Sequence, residues 1–361
     1  MSTKHFFTCG NTAKGFRNLF RSNIQSLTKL FILKGGPGTG KSTIMKKIGK
    51  ELETLKYDVE YVHCSSDPDS LDGVIVPKLG VGIVDGTAPH VIEPTAPGAI
   101  EEYVNLGVSW DTDKLETHAK EILDIQNKIK QCYEKAYDEF AKGLKVHDEW
   151  EKIYIENMNF SKADELTEEV INKLFGTTHL NKTSCIKDRF FGGSTPYGSI
   201  NFVENITENI AQNYFIKGRP GSGKSTMLKK ILERAKSLGI DVEVYHCGFD
   251  PDSLDMLLFP ELNICIFDST APHEYFPSRD GDSVIDMYAE LINANTDETY
   301  ETEISDIAAR YKLCINKGTA HLAMAKDYHD ELEKFYIEAT DFKVIDGIYK
   351  DLYKKIIRYH K

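Results

Sequence analysis

The 361-residue chain is one unit written twice, and that duplication limits what it can fold into. Lys34–Thr43 (KGGPGTGKST) and Lys217–Thr226 (KGRPGSGKST) agree at eight of ten positions, 183 residues apart. At the same offset His63–Asp72 (HCSSDPDSLD) answers His246–Asp255 (HCGFDPDSLD), and Asp85–His90 (DGTAPH) answers Asp268–His273 (DSTAPH). Further on the offset is 182, and His147–Glu156 (HDEWEKIYIE) matches His329–Glu338 (HDELEKFYIE) at eight of ten positions. The fold must therefore be built from two like halves. The junction lies in the polar stretch 176–183 (GTTHLNKT), which gives units of residues 1–182 and 183–361.

Within a unit the hydrophobic pattern sets the order of elements. Lys29–Lys34 (KLFILK) is a short apolar run ending in glycines and reads as a buried strand. Ser42–Leu55 follows as a helix, with Ile44, Ile48 and Leu52 on one face. Val59–Cys64 is a second strand. Asp67-Pro68 reads as a helix start, with Asp at the N-cap and Pro at N1. Val81–Asp85 is a third strand. Strand–helix–strand–helix–strand predicts an α/β unit with a parallel sheet and covering helices. From about residue 111 to 175, and again from about 295 to 361, the pattern becomes helical. Leu115, Ala119, Ile122, Ile125, Ile129, Cys132, Ala136, Phe140 and Leu144 make one apolar face of a helix of roughly 30 residues. A second helix is expected from His147 to Phe160. The pair is expected to pack as a helical hairpin with a charged outer face; docking of a protein partner on these helices is the alternative.

The glycine-rich segments carry the chemistry. Gly35–Ser42 and Gly218–Ser225 both fit GxxxxGK[ST] in full. Glycines at Gly35, Gly38 and Gly40, with Pro37, let backbone N–H groups wrap an anion at the start of a helix, and Gly218, Pro220, Gly221 and Gly223 repeat this. Lys41 and Lys224 would reach the β- and γ-phosphates of a nucleotide. Ser42 and Ser225 would coordinate Mg²⁺, with Thr43 and Thr226 beside them. Asp85 and Asp268 end apolar strands and would hold the same Mg²⁺. Neither is followed by the Glu that many ATPases use to polarise water; Gly86 and Ser269 stand there. Slow hydrolysis or another base is expected. The loops differ at Gly36, which is Arg219 in the second unit, where it would act as a catalytic Arg or simply face solvent.

Taken together, these motifs resemble the P-loop NTPase superfamily. The chain is similar over its length to a family of tandem P-loop ATPases in bacteria, with HC..DPDSLD and D.TAPH in both halves. The resemblance implies tandem duplicated P-loop domains and ATP binding. No NKxD follows for guanine and no LSGGQ occurs, so ATP is favoured over GTP. A nucleoside monophosphate kinase would want an Arg-rich lid, yet no Arg lies between Arg21 and Arg189.

Two further constellations stay open between structure and function. His63 and His246 end strands where ligands collect in α/β sheets, and Asp67, Asp69 and Asp72, with their counterparts Asp250, Asp252 and Asp255, follow. They could bind a second substrate or serve as turn and capping residues. Thr87 and His90, with Thr270 and His273, follow the strand-end Asp and could orient water or sense phosphate, or form a Pro-fixed turn. Zinc through His63, Cys64 and His90 is disfavoured, because adjacent residues of a strand point to opposite faces.

Composition bounds the setting. A net charge of −12 argues against a general nucleic-acid or membrane-surface binder. Seven Cys without a CxxC, and no apolar leader or span, fit a reducing cytoplasm. The expectation is a cytoplasmic Mg²⁺-dependent ATP-binding protein, a slow ATPase. The alternatives are a nucleotide-kinase-like phosphotransferase and a non-catalytic ATP switch.

Overall fold

Apolar runs of five or six residues, too short for helices and ended by glycine or polar turns, become buried strands. Lys29–Lys34 is buried at five of its six positions, and Gln212–Lys217, its repeat, at four. Around them a computed structural model, which describes residues 3–270 and 274–360, shows an α/β protein built on one twelve-stranded sheet. The first unit contributes, from the outer edge inward, Glu101–Asn105, Lys29–Lys34, Val81–Asp85, Leu71–Val76, Val59–His63 and Thr3–Phe7. The second continues in mirrored order with Ile186–Phe190, Val242–His246, Leu254–Phe259, Ile264–Asp268, Gln212–Lys217 and Ser283–Asp286. The halves join where Thr3–Phe7 meets Ile186–Phe190 antiparallel, with Phe7 opposite Phe190. No helix among the described residues is long and apolar enough to cross a membrane.

The sheet is mixed rather than parallel. In each unit one strand, Leu71–Val76 or Leu254–Phe259, runs antiparallel to both neighbours. It grows from the residues expected to start a helix. After His63 the chain makes a tight turn at Asp67–Ser70, closed by Ser70 N–H to the Asp67 carbonyl at 2.8 Å, and returns as a hairpin. Leu71–Val76 (LDGVIV) is buried throughout and β-branched, so sheet burial decides the outcome over the Asp-Pro capping signal. Thr3–Phe7 at the junction and Glu101–Asn105 at the edge, half-buried and charged, also join this sheet beyond the expected strands.

The helical segments also depart from expectation. Ala119–Glu156 is one helix of 38 residues, and His147 lies inside it rather than at the start of a second helix. Glu301–Glu338 is its equal in length. The two long helices pack on each other, antiparallel. Ile122 and Ile125 meet Leu332, Phe140 meets Leu322, and Ile153 meets Ile307. Gly318 lets them approach, since a Cβ there would stand 2.2 Å from the Phe140 ring. The apolar stripe of each helix is thus covered by the opposite unit, not by a hairpin partner in its own.

Each long helix then delivers a shorter helix to the other unit's core. Val170, Ile171, Leu174 and Phe175 of Phe160–Phe175 pack among Tyr214, Ile216, Met227 and Phe259 of the second unit. Ile345, Leu352 and Ile356 of Phe342–Ile357 pack among Phe31, Leu33, Ile44 and Ile83 of the first. The exchange is reciprocal.

At the junction Arg189 is wholly buried and charged. Its guanidinium donates to Glu60 Oε1 at 3.0 Å and Glu243 Oε2 at 2.9 Å, and Nε donates to Asn23 Oδ1 at 3.0 Å. It stacks on Phe6 at 3.7 Å, the residue 183 positions earlier and so its own repeat equivalent. Burial would raise the Glu243 carboxyl, but Arg189 and Lys4 outweigh it and hold the group at about 2. A carboxyl so lowered stabilises the fold fully above its ordinary range near 4.5, and that stability is lost as pH falls toward 2. Arg189→Met should therefore cost about 3–5 kcal/mol in urea unfolding at pH 7, because it strands a buried carboxylate pair. The same variant should lose less relative to the parent as pH falls from about 4.5 toward 2.

Candidate functional site

The two glycine loops have the same build. Each joins a buried strand to a helix, Lys41–Thr54 or Lys224–Ser237. Gly38 and Gly40 take φ of +69° and +85°, and Gly221 and Gly223 take +77° and +88°. Only glycine adopts such angles without strain, and the loop backbone wraps as a result. Gly40 and Gly223 sit at the helix N-caps, where no side chain accepts from the first turn. Each helix therefore offers open N–H groups at its positive end, which suits an anion.

The expected charged residues gather at these loops. Lys41 Nζ donates to the carbonyls of Gly35 at 2.8 Å and Gly36 at 2.7 Å, and lies 3.6 Å from Asp85. Lys224 Nζ donates to the Arg219 carbonyl at 2.8 Å and lies 3.6 Å from Asp268. Ser42 Oγ and Ser225 Oγ accept from the N–H groups of Leu71 and Leu254, at 3.0 and 2.9 Å. Thr43 and Thr226 are exposed on the first helical turn. Thr87 donates through both N–H and Oγ to Asp85 Oδ1, at 2.8 and 2.5 Å. Thr270 does the same to Asp268, at 3.0 and 2.5 Å. The threonines thus lock the carboxylates, and each Asp keeps Oδ2 toward its lysine.

Other expected residues are engaged elsewhere. His63 donates or accepts at both nitrogens, toward the Pro68 carbonyl and His5 Nδ1, each at 2.8 Å. Burial lowers its pKa to about 4, so it is a neutral brace for the Asp67–Ser70 turn. His246 is held alike, by the Pro251 carbonyl at 2.9 Å and Asp188 at 3.0 Å. Asp67 accepts from Ser70 Oγ at 2.8 Å, and Asp250 accepts from Ser253 Oγ at 3.0 Å and Lys14 at 2.6 Å. His90 is buried between Cys9 Sγ at 3.2 Å and Asp72 Oδ1 at 3.4 Å. His273 lies outside the described residues. Arg219 donates through Nε and Nη2 to Asp297 at 3.0 and 2.8 Å and lies over Tyr288. It is tied within its own unit.

The last acids of the two DPDSLD segments, and residues of the opposite unit that no sequence signal assigned, also come to the loops. Asp72 and Asp255 end the DPDSLD motif beside the strand-end carboxylates, Asp72 buried and Asp255 half-buried. Burial and the nearby Asp268 raise Asp255 to about 7. Burial likewise raises Asp72. The opposite unit's long helix supplies the rest. Gly38 N–H donates to Glu333 Oε1 at 3.2 Å. A Cβ on Gly36 would stand 2.8 Å from the Tyr336 ring, and one on Gly38 would stand 3.1 Å from the Glu333 carbonyl. At the second loop a Cβ on Gly221 would stand 2.4 Å from the Glu151 carbonyl and 2.8 Å from its Cα. Glu151 and Glu333 occupy matching places in the repeat HDE.EK.YIE. That repeat was visible in the sequence; its spatial target was not.

No protein-family model, curated protein or solved structure matches the chain.

The contact at Gly221 gives a direct test. Gly221→Ala combines positive φ with a clash against helix backbone, which has no flexible end to yield. It should destabilise the protein by about 2–4 kcal/mol, measured by urea unfolding. Ala at Gly347, where a Cβ meets nothing within 4 Å, should be neutral or slightly stabilising.

Proposed function

We propose that the protein binds ATP with Mg²⁺ at two P-loop sites, one in each unit, and hydrolyses it slowly. One observation carries this reading: in both units an uncapped helix N-terminus, a loop of left-handed glycines and a half-buried lysine converge beside a strand-end carboxylate. The backbone N–H groups would take the phosphates, and Lys41 or Lys224 would leave the loop carbonyls to meet the outer ones. The donors Ser42 with Asp85, and Ser225 with Asp268, are hard oxygen ligands that fit Mg²⁺. Mg²⁺ bound there would offset the negative charge of the phosphates. Thr87 and Thr270 would fix the carboxylates, sparing them reorganisation when nucleotide arrives.

The two halves should behave as two sites. Lys41→Ala and Lys224→Ala should each weaken ATP binding at their own site by about 1.5–3 kcal/mol, roughly ten- to over a hundredfold. Calorimetric titration with Mg·ATP checks this, with two sites in the parent and one strong site left in each variant. The same titration with Mg·GTP should show weaker binding. Equal affinity for GTP, or unchanged binding in both lysine variants, would refute the reading.

A further inference from the structure

Each glycine loop is finished by the opposite half of the chain. Over the first loop lies the helix Glu301–Glu338, whose Glu333 carboxylate accepts the Gly38 N–H at 3.2 Å. Over the second lies Ala119–Glu156, whose backbone at Glu151 abuts Gly221. The two acids belong to the same repeat motif, and each has a histidine four residues earlier on the same helix face. His329 Nδ1 is 3.8 Å from Glu333 Oε1, and His147 Nδ1 is 3.6 Å from Glu151 Oε1. Burial raises the Glu151 carboxyl above its usual range, as does neighbouring Asp148. Lys224 acts electrostatically on both Glu151 and His147, which puts the pair within range of the second loop's lysine.

These carboxylates answer a gap noted in the sequence. The residues after Asp85 and Asp268 are Gly86 and Ser269, so neither of these two strand ends is followed by a water-polarising acid. We propose that each unit lends that acid to the other, Glu333 serving the first loop and Glu151 the second. This rests on the reading of the loops as Mg·ATP sites. With the loop empty, Glu333 takes an N–H that a phosphate oxygen would take. With triphosphate bound, the displaced carboxylate faces the outermost phosphate from across the interface. There it orients one water and accepts its proton as the water oxygen bonds to the γ-phosphorus. The bond from that phosphorus to the bridging oxygen breaks, its electron pair leaves with ADP, and inorganic phosphate is released. The carboxylate then returns the proton to solvent. His329 and His147 stand one helical turn before the acids, 3.8 and 3.6 Å away.

The test uses the full-length protein and the variants Glu333→Gln, Glu151→Gln and the double variant. Gln keeps the length and can still accept the Gly38 N–H, so folding is preserved and is verified by thermal melting. ATP affinity is measured by calorimetry and turnover by phosphate release. Each single variant should lose turnover at one site, and the double should lose about 100-fold overall, as expected for removing a general base. ATP affinity should be unchanged or tighter, because a competing anion is gone. Glu→Asp variants should keep more turnover than Gln, an order that a packing role would not give. Unchanged turnover in the double variant would overturn the proposal, as would ATP binding without turnover in the parent. Faster turnover would make the acids plugs rather than bases, and would also overturn it. Failure of the parent to bind ATP would instead sink the reading of the loops, which the Lys41→Ala and Lys224→Ala titrations report separately.

Discussion

The architecture hangs on one buried cation. Arg189 sits at the seam of the sheet with no exposed surface, between Glu60 of one half and Glu243 of the other. A lone guanidinium at that depth would be prohibitive, and without it the two carboxylates would share only Lys4, on Glu243. The seam therefore has few alternatives in register. The two glutamates are repeat equivalents, but Arg189 faces Phe6, its own equivalent. Two arginines would repel there, and two phenylalanines would leave Glu60 without its guanidinium and Glu243 with Lys4 alone. The near-symmetric sheet is closed by a deliberate asymmetry. Once the seam is fixed, the mirrored strand order fixes which way each long helix leaves, and hence which glycine loop it crosses.

Local signals carried well wherever a segment's fate depends on its own residues. The strands Lys29–Lys34 and Val81–Asp85 and the helix that starts at Lys41 follow from apolar runs, glycine placement and helical periodicity. The Asp67-Pro68 signal misled because capping residues also suit tight turns, and the next six residues are apolar enough to demand sheet burial. The 38-residue helices were read too short, since polar His147 and its neighbours interrupt the stripe. That stripe faces another helix rather than a core, and a helix–helix seam tolerates such interruptions. The acids Glu151 and Glu333 were visible only as repeated letters. Their meaning depends on a contact between residues 295 positions apart for Gly38 and Glu333, which no local pattern encodes.

The two sites are alike in plan and different in detail. In the first, Gly36 lies under Tyr336 and Trp110, and Lys41 reaches two loop carbonyls. In the second, Arg219 replaces that glycine, swings out to Asp297 and leaves Lys224 a single carbonyl. An aromatic cover and an ion pair respond differently to salt and to the arrival of charged phosphates. If both loops take the proposed nucleotide, this geometry does not predict equal affinities.

The exchanged helices impose an order on synthesis. The apolar core around Phe31, Leu33 and Ile83 of the sheet and Ile44 of the helix Lys41–Thr54 is covered by Ile345, Leu352 and Ile356, which leave the ribosome long after the residues they protect. The second half receives its cover, Phe160–Phe175, before its own strands are made. During translation the first-made half must therefore wait with an open apolar face, while the later half folds onto a helix already present. The half that is made first is the half that is finished last.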